Sequence, residues 1–203
     1  MPGHHNDYLI SAARRKLLRA CFSVVGASLF ASIARSQALP SGRLDVPYEP
    51  TPQPMVERML AIAGVNAGDL LYDLGCGDGR IVITAAKKYG ARGVGIDLDP
   101  QRIQEAQANA RLAQVEDKVK FQVGDLFNTD FSAATVVTLF LWPHINRKLR
   151  PELWRQLRVG TRVVSYVWDM GAEWPPERTE TINGKKIHYW TIGPEEKRLA
   201  AGI

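Results

Sequence analysis

The chain has 203 residues and 45% hydrophobic content, which suit one domain with a core of its own and exclude a disordered or low-complexity chain. Of its formal net charge of +5, the first 38 residues supply five Lys/Arg against one acid, so the remainder stands at +1 and gives no argument for a nucleic-acid surface. Of the two cysteines, only Cys76 lies past that basic segment, which excludes an internal disulfide in the body, and no His/Cys cluster has zinc spacing.

Residues 1–38 read as a targeting segment. Arg14-Arg15-Lys16 precedes an uncharged run from Ala20 to Ala34, and Ser36-Gln37-Ala38 offers small residues at a cleavage point. Basic, apolar, small is the order of a secretory signal, and the run is short for a stable membrane span. Arg14-Arg15 gives a weak likeness to a twin-arginine signal. The expectation is a chain exported, or held at the inner membrane, by residues 1–38, with residues 39–203 as the domain. A cytoplasmic chain with a basic N-terminus is the alternative.

Gly42 to Pro54 is a proline-rich approach, extended and irregular. Thr51 with Pro52 reads as a helix cap and first position; Val56, Met59, Leu60 and Ala63 then recur at helical spacing until Gly64. Tyr48 and Thr51 either fold over a pocket or form only an entry turn.

Leu70-Leu71-Tyr72-Asp73-Leu74 is a continuous apolar strand of the buried parallel kind. It breaks into Gly75-Cys76-Gly77-Asp78-Gly79 and resumes as a helix from Arg80, the first half of a nucleotide-binding βαβ unit. The glycine spacing is tighter than in a dinucleotide fingerprint, and Asp73 precedes the first glycine. A carboxylate there repels a pyrophosphate and suits a ligand with an ammonium group, such as the amino-acid end of S-adenosylmethionine. A glycine turn without a ligand is the plainer reading. Cys76 reads as a small residue filling that turn rather than a catalytic thiol.

Arg92 to Asp97 is a second parallel strand ending in an acid eighteen residues beyond Gly79, near the spacing of a ribose-binding carboxylate. Asp99-Pro100 caps the next helix. A third strand, Lys118–Val123, ends at Asp125, placed either to accept from an adenine amino group or merely to cap its turn; Leu98 and Leu126 can sandwich the ring. Ala134 to Leu141 is the most apolar run of the body and so a central strand. Its exit, Trp142-Pro143-His144, borders the crevice where a substrate sits in an open α/β sheet. His144 reads as a surface loop residue, and the cations from Arg147 to Arg162 as a solvated helix face. Gly160–Trp168 gives a fifth strand, and Asn183-Gly184 turns a hairpin between Thr179–Ile182 and Lys185–Trp190.

From Val46 to Trp190 the chain resembles class I S-adenosylmethionine-dependent methyltransferases. More narrowly it resembles the ATP synthase c-subunit lysine methyltransferases and their archaeal protein-lysine methyltransferase relatives. The residues that carry this are Pro47-Tyr48-x-Pro50-Thr51-Pro52, Tyr72-Asp73-Leu74-Gly75-x-Gly77-Asp78-Gly79-Arg80-Ile81-Val82, Asp125-Leu126-Phe127 and Val137-Thr138-Leu139-Phe140-Leu141-x-Pro143. The resemblance implies a Rossmann-like, doubly wound, mostly parallel seven-strand sheet with a C-terminal antiparallel hairpin. It implies methyl transfer to a protein lysine, with cofactor contacts at Thr51, Asp73, Gly75, Gly77, Asp97 and Asp125. Tyr48, Trp142 and Pro143 are the candidates for lining the acceptor pocket; no metal and no nucleic acid are expected, and oligomeric state is open. Trp142 and His144 depart from the family pattern, which bears on the acceptor rather than the reaction. The rivals are a small-molecule methyltransferase, a nicotinamide-dependent oxidoreductase and a non-catalytic cofactor-binding module.

Overall fold

In a computed structural model, which describes residues 49–202, the body is built around one seven-stranded sheet. The 1–38 segment and Tyr48 lie outside the described residues. Among the described residues, no helix is long and apolar enough to cross a membrane.

The elements follow in chain order as α1 (Gln53–Ile62), β1 (Leu70–Leu74), α2 (Arg80–Tyr89), β2 (Arg92–Asp97), α3 (Pro100–Leu112) and β3 (Val119–Val123). Then come a 3₁₀ turn (Leu126–Asn128), β4 (Val136–Leu139), α4 (Pro143–Gln156), β5 (Arg162–Tyr166), β6 (Arg178–Ile182), β7 (Lys185–Thr191) and α5 (Pro194–Ala201). The strand order is β3-β2-β1-β4-β5-β7-β6. The first five strands run parallel; β7 is antiparallel to both β5 and β6. The expected Rossmann-like sheet with its terminal hairpin is therefore the observed one.

The strands that read as continuous apolar runs are the ones covered on both faces. All four residues of β4 are buried. One core cluster gathers Met59, Leu60, Leu71, Val82 and Val136 under α1 and α2. The other gathers Leu74, Leu139, Leu149, Leu153 and Trp190 under α4. Burying such side chains stabilises the fold by about 1.5–3 kcal/mol each.

The strand read over Gly160–Trp168 stops at Tyr166, and three further details differ from the sequence reading. The helix α1 begins one residue later than expected: Pro52 is its N-cap, no side chain caps it, and the Pro52 carbonyl accepts from Met55 N and Val56 N. His144 sits exposed in the first turn of α4 rather than in a loop. The helix α5 had no counterpart in the reading, because its support is remote: Lys197 Nζ donates to the Trp154, Arg155 and Leu157 carbonyls at the end of α4.

The order β2-β1-β4 reverses chain progression at β1, and the resulting crevice opens at the carboxyl ends of these strands. The functional residues converge there.

Candidate active site

Two glycines shape the turn after β1. Gly75 has φ +85°, and a Cβ there would stand 2.8 Å from Leu141 Cδ2, so a side chain would close the crevice. Gly79 has φ +79° and caps α2, and a Cβ there would strike the Phe121 ring at 2.7 Å. The turn thus lies flat against the sheet, leaving a cleft of about 1090 Å³ counting its open mouth.

Most of the residues expected to meet a cofactor line this cleft: Thr51, Asp73, Gly75, Asp97, Leu98, Asp125 and Leu126. Gly77 does not. It works one step back, where its N–H donates to Asp97 Oδ2 at 2.8 Å, while Asp97 Oδ1 accepts from Asp99 N at 3.0 Å. These bonds fix the Asp97 carboxylate at the end of β2 and leave further lone pairs on each oxygen for a ligand. Asp125 caps its turn, accepting from Phe127 N at 2.9 Å and Asn128 Nδ2 at 2.7 Å, and it lines the cleft as well. The turn-capping alternative raised for it is thus observed, and its place on the cleft wall is compatible with the other.

Asp73 is the most informative side chain. It is 2% exposed, and it accepts a hydrogen bond from Thr138 Oγ1 at 2.8 Å. Among the described residues no cation pairs with it. Burial pushes its carboxyl up to about 8; the Thr138 hydroxyl pulls it down, and Asp97 and Asp78 push it further up. A buried carboxylate without a cation, facing a cleft, fits a ligand that brings its own ammonium. Cys76 is buried beside it, and burial and Asp73 push its thiol far up, which makes it inert filling.

The approach segment is tied down by Arg80, whose role the sequence did not disclose. Its Nη1 donates to the Thr51 carbonyl at 2.9 Å and its Nη2 pairs with Asp78 at 2.6 Å. Thr51 is consequently buried at the cleft wall, 4% exposed. Thr138 and Phe140 were also missed as site residues, whereas Glu49 belongs to the approach segment expected to close the site. The signals of the first two lie in strand register and in contacts distant along the chain, which no local spacing displays.

The acceptor candidates separate. Trp142 is the N-cap of α4, 44% exposed, and lines a second cleft beside the first. Pro143 lines neither cleft; it fills the first position of α4, where its missing N–H costs nothing. Among the described residues, no group of three His, Cys, Asp or Glu could hold a metal ion.

The profile described as the ANTKMT methyltransferase domain matches residues 73–178, from the acid near the end of β1 to the start of β6. The chain belongs to that family. A protein-lysine N-methyltransferase of Saccharolobus islandicus is 44% identical over 144 residues, 70% of this chain and 89% of that protein. A mouse enzyme that methylates lysine in the c-subunit of ATP synthase is 32% identical over 66% of this chain and 53% of that protein. A Salinibacter ruber protein, described as an RNA methyltransferase and solved with S-adenosyl-L-homocysteine, is 55% identical. It superposes with a TM-score of 0.71, covering 72% of this chain and 95% of that one.

This member of the family is an S-adenosylmethionine-dependent methyltransferase, and the nicotinamide and non-catalytic readings fall away. S-adenosylmethionine supplies a methyl group already made electrophilic by its sulfonium. Once bound it asks of the protein orientation and exclusion of water rather than a covalent intermediate. Phe140, Leu141 and Ile145 supply an apolar wall on the α4 side of the cleft.

Proposed function

We propose that this enzyme methylates the ε-amine of a protein lysine. The observation that carries the reading is the charge of the cleft lining. Glu49, Asp73, Asp78, Asp97, Asp99 and Asp125 line the donor cleft against two cations, Arg80 and Arg102. Both guanidiniums already face carboxylates, Arg80 with Asp78 at 2.6 Å and Arg102 with Glu105 at 2.7 Å. An acidic cleft attracts a lysine and repels a phosphate backbone. The likeness to the Saccharolobus protein-lysine enzyme, over 89% of its length, supports the same acceptor.

The residues so far placed by their geometry take these roles in the proposal. Asp73 receives the donor's ammonium, Asp97 its ribose hydroxyls, Asp125 its adenine amino group, and Leu98 and Leu126 flank the ring. Thr51, held by Arg80, closes the amino-acid end, and Gly75 and Gly77 shape the bed. The acceptor nitrogen must be neutral at the moment of transfer, and a free lysine loses its proton only near pH 10.4, so the amine has to shed its proton between docking and meeting the methyl group. Tyr48 directly precedes Glu49, which lines both clefts, and this supports a place for it at the acceptor mouth. Residues 1–38 fit a leader or anchor by their residue order alone.

The Salinibacter description favours RNA as the second reading. Radiolabelled donor and a cell lysate separate them. The expected result is a protease-sensitive labelled band whose peptides carry methyl groups on lysine. Label that ribonuclease removes, or that extracts with small metabolites, overturns the lysine assignment.

A further inference from the structure

Beside the donor cleft lies a second one of about 570 Å³ counting its mouth, sharing Glu49 and Phe140 with the first. Its walls are aromatic. Phe140 meets Tyr166 edge to face, with centroids 4.8 Å apart and planes at 63°. Trp142 and Trp168 stack at 6.3 Å and 24°, and both indoles are more than a third exposed, at 44% and 38%. Two exposed tryptophans held face to face are unusual surface for a folded domain.

Their backbones are held at a cost. Val167, between Tyr166 and Trp168, has φ +70°, a region that a β-branched residue almost never adopts. Trp168 N donates to Tyr166 O at 2.9 Å, which closes a three-residue turn of the strained kind. Three bonds hold it shut: Val167 N to Lys186 O at 2.7 Å, Ser165 Oγ to Trp168 O at 2.6 Å, and Asn146 Nδ2 to Trp168 O at 3.2 Å. Asn146, fully buried, also makes the first-turn backbone bond of α4 to the Trp142 carbonyl at 3.0 Å, so the helix that starts at one tryptophan carries the side chain that holds the other. Strain maintained by that much structure, at the edge of the donor cleft, marks a site rather than a packing accident.

We propose that this cleft is the acceptor channel. A lysine side chain lies along Trp142 and Trp168 with its head against the aromatic faces beside Glu49, and methylated forms, which keep their positive charge, are held there too. This rests on the lysine reading above. Aromatic faces attract alkylated ammonium groups through the ring quadrupole, and a neighbouring carboxylate adds to the attraction. Among the described residues that line the cleft, Lys185 is the one cation, exposed at the start of β7. It opposes a cationic ligand and so provides an electrostatic lever. Trp168 is then a specificity-determining residue that neither local sequence nor the donor site reveals.

The test uses the full chain saturated with S-adenosylhomocysteine and two probes, Nα-acetyl-Nε-trimethyl-lysine methylamide and its neutral analogue with a quaternary carbon in place of the nitrogen. The cation is expected to bind about tenfold more tightly than the neutral analogue. Trp168→Ala abolishes that preference, Trp168→Phe keeps most of it, and Lys185→Glu widens it, all with S-adenosylhomocysteine affinity unchanged as the check on folding. Equal binding of the two probes, or a preference that survives Trp168→Ala, overturns the channel. The lysine reading fails separately: methyl label recovered on RNA removes it, and the acceptor role with it, whereas label on lysine with no cation preference removes the channel alone.

Discussion

The strand β1 is bracketed by two buried aspartates that share a residue type and almost nothing else. Asp69, just before the strand, is 4% exposed. It pairs with Arg162 and accepts from Thr135 Oγ1 at 2.7 Å and from Asn66 N at 2.9 Å. Arg162 goes on to donate to the Ala63 carbonyl at 2.7 Å, which ties the end of α1 to the amino edge of the sheet. Asp73, near the strand's other end, is 2% exposed and has a threonine but no cation among the described residues. The first charge is compensated inside the protein and holds it together. The second is left for something outside to compensate. The parallel sheet explains the assignment: its carboxyl edge is where crossover loops part and a crevice forms, while its amino edge is closed by packing.

The sharpest way to break this contrast is to remove each charge in turn. Asp73→Asn is expected to weaken donor binding by about 2–5 kcal/mol, the cost of removing one partner from a buried charge pair. Calorimetry reads that loss, and thermal unfolding should show the fold kept. Asp69→Asn should do the reverse. Leaving Arg162 unpaired costs about 3 kcal/mol of stability, visible in urea unfolding, while the folded fraction binds donor as before. If Asp69→Asn costs donor affinity and Asp73→Asn costs only stability, the division of labour is wrong.

Acidity sharpens it further. Asp73 has its pKa raised from an ordinary carboxylate value to about 8, principally by burial. Between about pH 4 and 8 the native protein therefore holds a proton that the unfolded chain has released, so unliganded stability falls as pH rises across that window. Donor binding needs the ionised carboxylate, so affinity should rise by up to about tenfold per pH unit on approaching pH 8. It should decline beyond, as the donor's own amino group, with a pKa of about 7.7–8.0 in model compounds, loses its proton. A titration series on Asp73→Asn should lack the rising limb.

A smaller effect is expected where the acceptor side stores strain. Val167→Gly relieves a positive φ and should raise unfolding free energy by about 1 kcal/mol, while loosening Trp168 and raising KM for a lysine peptide more than it changes kcat. Smallest of all, a chain beginning at Leu39 should unfold within about 0.5 kcal/mol of the full chain; loss of its circular dichroism signal would show that residues 1–38 belong to the fold.

The donor half of the site was legible because its chemistry is written locally. A strand, three alternate glycines and a helix fix where Asp73 and Gly75 lie, and the next strand's length fixes Asp97. Thr138 opposite Asp73 follows only once β4 is known to pair with β1, in the register Asp73↔Thr138. The acceptor half was harder. Trp142 was visible as a strand exit, but its partner Trp168 stands after a valine whose composition argues for continued strand. The turn there is imposed by the neighbouring Ser165 together with Lys186 and Asn146, from two other places in the chain. Arg80 and Lys197 belong to the same class, cations whose targets are carbonyls and so have no residue type to search for.

The strand order has a consequence in time as well as in space. The penultimate position in the sheet belongs to β7, the last strand made, inserted between β5 and β6. During synthesis β1 to β4 can assemble with the helices between them and complete the donor bed from chain already outside the ribosome. The hairpin partner β6 has no strand beside it until β7 arrives, and Val167 has no Lys186 carbonyl to hold its turn. Nascent chains should therefore gain the ability to bind the methyl donor before they gain a place to put the acceptor.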